Sequence, residues 1–232
     1  MKYFLKNSFI RELYSKKRYE QLVQKGLRTK NSLMSDYLKE AFRNYCSIPN
    51  RIDYLIGSVA SLKPNKSTEL LSIGPRFESE LFGYRGIGIS RKLIKAIDTY
   101  SYSPMIEIGD AHNLRFESNS FDIVVIGWTI AYSSQPKKLI SEALRVLRKN
   151  GYAIITFDLQ DSINKYMDKC FPKNKVLIPL VNKKSYFLHN SDSSYNIKSF
   201  ELETKLWSGA ISKTAIGKLV LEKISSTSGK IT

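Results

Sequence analysis

Glycines, carboxylates and aromatic side chains recur at the ends of short apolar runs in the middle of the chain. Their types suit the binding of a nucleoside. ELLSIG (69–74) ends at Gly74-Pro75-Arg76, and LIKAIDTYS (93–101) carries Asp98. MIEIGD (105–110) ends in Gly109-Asp110 and continues into Ala111-His112, and FDIVVIGW (121–128) is followed by Thr129 and Tyr132. A glycine turn lets backbone approach a ligand and opens a helix whose N–H groups favour an anion. A carboxylate after the second run can accept hydrogen bonds from two ribose hydroxyls. One after the third can accept from an amino group such as the adenine amine. Together these groups describe an adenosine-containing ligand laid across the edge of a sheet. His112 reads either as a base or as a packed loop histidine, and Trp128 and Tyr132 either as ligand-facing or as core aromatics. Asp122 reads as structural, holding the start of its run.

For these ends to converge, the runs must be parallel strands. FDIVVIGW is a buried-strand run, and YAIITF (152–157) is the next one. Between them Leu139, Ile140, Ala143, Leu144 and Leu147 mark one face of a helix that opens at Pro136. Arg145, Arg148 and Lys149 are placed in its last turns, with Asn150-Gly151 closing it. Strands alternating with helical crossovers predict a doubly wound, mostly parallel sheet of the Rossmann-like α/β kind. The second strand has two registers. LIKAID presents Asp98 and is preferred; GIGIS (86–90) would present Ser90 instead. The preferred register leaves a short connection before Asp110, where a parallel crossover ordinarily holds a helix.

Residues 1–66 read as a helical cap. Phe9, Ile10, Leu13 and Tyr14, then Leu33, Tyr37, Leu38, Phe42 and Tyr45, recur at helical spacing, and a third helix is expected over 51–62. Residues 67–232 form the second unit. In it VLIPLV (176–181), SYFLHN (185–190) and IKSFELETKL (197–206) read as strands, with SDSS (191–194) turning between two of them. An antiparallel pair is expected to end the sheet, and the tail STSGKIT to fray.

Composition narrows the class. The 232 residues are 42% hydrophobic and 25% charged, as in a soluble globular protein. Two cysteines, Cys46 and Cys170, exclude a disulfide scaffold, and two histidines without C-x-x-C or H-E-x-x-H argue against a metal site. The longest apolar stretch, 121–132, carries Asp122 and is too short to span a membrane. The N-terminus has charges every few residues and no signal-like apolar region, so a cytoplasmic setting is expected. Net charge is +16, of which residues 1–66 carry +9, 67–157 +2 and 158–232 +5. Such an excess suits an anionic partner, or reflects a lysine-rich composition.

GDAHNLRFESNSFD (109–122) and EALRVLRKNGY (142–152), in this order and spacing, resemble class I S-adenosylmethionine-dependent methyltransferases. The resemblance is closest to the type 11 domain and covers residues 69–157. It implies a seven-stranded sheet and S-adenosylmethionine as cofactor. Gly74 and Pro75 would lie under its methionine part, Asp98 on the ribose, and Asp110 with Ala111 and His112 at the adenine. Trp128 and Tyr132 would face the sulfonium, and His112 and Tyr132 are the candidate catalytic groups. The first loop departs from the family's acid-x-Gly-x-Gly-x-Gly: Ser72 stands for the acid, and Arg76 and Glu78 for two glycines. Arg76 could pair with the methionine carboxylate instead. A G-P-R-x-E-x-E-L loop occurs in a subset of methyltransferase-like proteins, together with D-x-x-S-Y-S-P and G-D-x-H. All three segments are present here. The expected activity is methyl transfer to a small-molecule or glycan- or lipid-linked acceptor, with residues 1–66 as a lid. An RNA acceptor at the basic N-terminus and a silent binding module are the alternatives. A nicotinamide dehydrogenase is a distant fourth reading, because G-x-G-x-x-G is absent.

Overall fold

A computed structural model describes residues 50–75, 78–99, 101, 103–159, 175–179, 185–189, 194–207 and 210–224. The helices expected before residue 50, Arg76, both cysteines and the C-terminal tail lie outside the described residues. Seven strands form one sheet: β1 (Leu70–Ile73), β2 (Ile94–Asp98), β3 (Glu107–Ile108), β4 (Phe121–Gly127), β5 (Leu147–Leu159), β8 (Tyr195–Trp207) and β9 (Ala210–Lys223). Their order is β3-β2-β1-β4-β5-β9-β8. The first five run parallel, and β9 is antiparallel to both β5 and β8. The chain starts at β1, proceeds outward to β3, and returns to β4 on the other side of β1. That reversal opens a crevice at the carboxyl ends of β1 and β4.

Alternating side chains on each strand supply two cores. Leu71, Ile73, Val124, Ile126, Ile155 and Phe157 pack on one face with Leu139, Ile140 and Ala143 of α3 (Pro136–Val146). Leu70, Ile123, Val125 and Ile154 pack on the other. There they meet Leu55 and Val59 of α1 (Asn50–Ala60) and Leu81 and Tyr84 of α2 (Glu78–Gly86). Gly127 lets α1 come close, since a Cβ there would lie 2.8 Å from Leu55 Cδ1. The preferred register is the observed one: β2 ends in Asp98, and α2 supplies the crossover from β1.

Two expectations are corrected. Helix α3 stops at Val146 rather than at Asn150. Leu147 already pairs with Phe121 of β4, and Arg148 leaves the helix to bind Asp122 at 2.8 Å and Glu69. Asp122 also accepts the Glu69 N–H at 2.8 Å, so it does hold the start of β4. Asn150 then turns the chain with φ of 63°. The antiparallel pair that ends the sheet is β8 with β9, not SYFLHN with IKSFELETKL. β9 registers against β5 from Tyr152↔Glu222 to Leu159↔Ala215 and against β8 along its length. SYFLHN instead forms β7 (Ser185–His189), which pairs with β6 (Lys175–Pro179) in a separate two-stranded sheet. As the short connection implied, no described residue between β2 and β3 is helical. The segment turns instead through its serines: Ser101 Oγ accepts the Ser103 N–H at 3.0 Å, and Ser103 Oγ accepts the Met105 N–H at 2.9 Å.

Candidate cofactor site

A cleft of about 390 Å³ lies at the crevice between β1 and β4. Gly74, Asp98, Asp110, Ala111, His112 and Tyr132 of the sequence-predicted set all line it. Ile73, Ile97, Thr99, Thr129, Ser133 and Leu139 complete the wall. Backbone bonds fix its floor. Gly74 donates to Ile97 O at 2.8 Å and Gly109 to Asp98 O at 2.9 Å, so the ends of β1, β2 and β3 are stitched edge to edge. Gly74 has φ of 78°, and a Cβ on it would fall 1.7 Å from Thr129 Oγ1. Backbone therefore forms the surface at this corner. The cleft has two carboxylates on neighbouring strand ends and apolar walls from Ile73, Ile97, Ala111 and Leu139. That donor-accepting, flat-walled arrangement fits the ribose and purine of an adenosyl group.

Pro75 is buried beside the cleft and does not line it. Trp128 also lies off the lining. Its backbone is left-handed, with φ of 56°, and its indole Nε1 donates to Asp158 Oδ1 at 2.9 Å. The Tyr54 ring of α1 stands tilted beside it, centroids 6.5 Å apart. This group occupies the carboxyl ends of β4 and β5 on the α1 face, next to Thr129.

The altered first loop has a consistent internal chemistry. Glu80, buried in α2, accepts hydrogen bonds from Ser72 Oγ and from Tyr84 Oη, the latter at 2.9 Å. A carboxylate from the helix thus stands over the serine that replaces the family's acid. Glu78 accepts from Ser103 Oγ. The two glutamates are accordingly turned into the protein and are absent from the cleft lining. The Glu78–Ser103 bond ties the first loop to the segment between β2 and β3.

Burial pushes the Glu80 carboxyl above its ordinary value of 4.5. The Ser72 and Tyr84 donors pull it back in part, and the Asp98 charge adds to the rise. A carboxyl raised on folding binds more protons folded than unfolded, so its stability contribution is lost as pH climbs from the unfolded value to the folded one. Glu80→Gln keeps an acceptor for both hydroxyls and has no charge. We expect its thermal midpoint to gain on that of the unaltered protein between pH 4.5 and 7.5. A difference constant over that range would refute the assignment.

Behind the cleft, the E-x-x-R part of EALRVLRKNGY clamps the loop that carries Asp110 and His112. Glu142 Oε2 accepts the Leu114 N–H at 2.8 Å. Arg145 donates to Leu114 O and Phe116 O, both at 2.8 Å, and to Glu142 at 2.9 Å. Nearby, buried Lys223 of β9 donates to Leu147 O at 2.6 Å and Asn119 Oδ1 at 2.9 Å. Sequence reading gave Thr129 no role and missed Thr99 and Ser133 in the lining and Glu80 beneath it. Only their positions just after strand ends, or within the first turns of α2, could have pointed to them.

Residues 77–155 match the family described as a methyltransferase domain. A 1,6-didemethyltoxoflavin-N1-methyltransferase from Burkholderia thailandensis, solved with 1,6-didemethyltoxoflavin and S-adenosylhomocysteine, superposes with a TM-score of 0.53. Identity is 10%, over 83% of this chain and 88% of that one, so the likeness is one of fold. An uncharacterized protein of Methanocaldococcus jannaschii is 30% identical over 90 residues, 39% of this chain and 42% of its own length. A demethylmenaquinone methyltransferase of Thermotoga maritima is 26% identical over 86 residues, 37% of this chain and 38% of its own. The chain spans about two fifths of the length of these curated relatives. The fold is thus shared with that methyltransferase, and the sequence likeness to a methyltransferase domain lies in residues 77–155.

Proposed function

We propose that the protein is an S-adenosylmethionine-dependent methyltransferase with a small-molecule or glycan- or lipid-linked acceptor. The observation that carries this reading is the single cleft that gathers Gly74, Asp98, Asp110 and Ala111 from three separate strand ends. When bound, the cofactor supplies a methyl group on a cationic sulfur, open to attack by a nucleophile. The chain's part is to bind, orient and desolvate. Asp98 accepts the ribose hydroxyls, Asp110 accepts the purine amine, and Gly74 offers backbone to the amino-acid end. Ile73, Ile97, Ala111 and Leu139 exclude water from the ring. The face of Tyr132 attracts the sulfonium, worth ~0.5–2 kcal/mol. Arg76 pairs with the methionine carboxylate; an Arg76→Glu variant with unchanged affinity would remove that role. Trp128 and Tyr54 form the acceptor wall, and the chain before α1 the lid, whose basic character suits an anionic acceptor.

Calorimetric titration with S-adenosylhomocysteine tests the reading. We expect micromolar binding, weakened about tenfold or more in Asp98→Ala and in Asp110→Ala, as for loss of a charge-assisted hydrogen bond. No binding by the unaltered protein would overturn it in favour of a silent binding module.

A further inference from the structure

Three buried side chains join the two walls of the cleft. His112 Nδ1 lies 2.8 Å from Asp110 Oδ1, and the His112 backbone N–H donates to the same oxygen at 2.9 Å. The other ring nitrogen, Nε2, lies 2.7 Å from Ser133 Oγ. Ser133 Oγ in turn accepts the Gln135 N–H at 3.1 Å, at the entrance to α3. A carboxylate only accepts, so Nδ1 carries the proton. In the neutral ring Nε2 then accepts the Ser133 hydroxyl proton. The chain runs Gln135 N–H, Ser133 O–H, His112 Nδ1–H, Asp110. It links the loop after β3 to the turn after β4. All three side chains are buried, so water does not readily replace a lost link.

We infer that His112 and Ser133 are positioning residues for purine recognition: they set the orientation in which the Asp110 carboxylate meets the base. This rests on the reading above, in which Asp110 accepts the purine amine. Two donors on Oδ1 fix the carboxylate's plane. Without the imidazole, the backbone N–H alone holds Oδ1; the carboxylate turns about its Cβ–Cγ bond, its bond to the amine weakens, and the preference for an amine over a carbonyl at the six position falls with it. The role is selectivity, and neither residue reaches the reacting atoms.

The experiment measures affinities of the full chain for S-adenosylhomocysteine and for S-inosylhomocysteine, which carries a carbonyl in place of the amine. The ratio is the readout, because a merely structural defect weakens both ligands together. The unaltered protein is expected to favour the adenosyl ligand by about 10- to 100-fold, as for a hydrogen bond to a charged group. His112→Ala should bring the ratio below about threefold, and Ser133→Ala should lower it in part. His112→Gln, which restores a donor, and Ser133→Thr, which keeps the hydroxyl, should recover it; they also serve if an alanine variant does not fold. An unchanged ratio in His112→Ala and Ser133→Ala overturns the inference. Equal affinities in the unaltered protein overturn it together with the role of Asp110 but leave methyl transfer standing. Binding of neither ligand removes the methyltransferase reading itself.

Discussion

Alanine at Gly74 is expected to lower the affinity for S-adenosylhomocysteine by more than 100-fold. Two costs coincide there. The backbone has φ of 78°, which a Cβ penalises by about 1–2 kcal/mol. The added carbon also falls 1.7 Å from Thr129 Oγ1, an overlap that only displacement of the turn after β4 relieves. Thr129 is itself held, its hydroxyl lying 3.2 Å from Ile73 O and 3.1 Å from Gly127 O. The displacement therefore spreads to both strand ends that define the cleft. The double variant Gly74→Ala/Thr129→Gly removes the overlap and keeps the backbone strain. It should recover most of the lost affinity. Calorimetry on the two variants separates the costs, and an affinity within threefold of the unaltered protein for Gly74→Ala alone would show that this corner does not shape the site.

Arginine 145 is the second position where one change should have a large effect, here on stability. Its guanidinium meets Glu142 and two loop carbonyls at once. Arg145→Ala would leave Glu142, 7% exposed, as an unpaired carboxylate. Breaking such a pair costs about 3 kcal/mol, to be read as a lower urea midpoint at unchanged slope. Burial alone would raise the Glu142 carboxyl. The hydrogen bonds from Arg145 and the Leu114 N–H, with the charges of Arg145 and Lys138, outweigh it and hold the group below its ordinary 4.5. An acid depressed on folding contributes stability above its unfolded value, and that stability is lost as pH falls through the folded one. The deficit of Arg145→Ala should therefore be full at pH 7 and shrink below about pH 4.5. A deficit under 1 kcal/mol at pH 7 would show that the clamp is not needed to hold the loop.

Much of this was legible in the residues. The parallel strands announced themselves as short apolar runs ending in Gly or Asp, because a strand buried on both faces has little room for polar side chains. Asp98 was chosen over Ser90 on chemical grounds, and β2 ends where that choice requires. What escaped was set by long-range packing. AISKTAIGKLVLEK carries lysines at 213, 218 and 223, which hid β9. Lys223 is buried because it satisfies carbonyl and amide oxygens around the start of β5. RVLRKNG read as a continuing helix because its spacing is helical; pairing of Leu147 with Phe121 overrides that local preference. Glu80 and Ser133 carried no local signal of a role. Each finds its partner across a gap in sequence, with Ser72 eight residues before Glu80 and His112 twenty-one before Ser133.

The order of the last strands also imposes a timetable on synthesis. β5, in the middle of the sheet, has β4 on one side from an early stage, but its other edge waits for β9, which follows every other described strand of this sheet in sequence. β8 is made first and has no place in the sheet until β9 threads between it and β5. A ribosome that has finished the entire cleft therefore still holds a chain with a long unpaired edge. Pairing of that edge is non-local, so completion of the sheet depends on a strand remote in sequence from the residues that line the cleft.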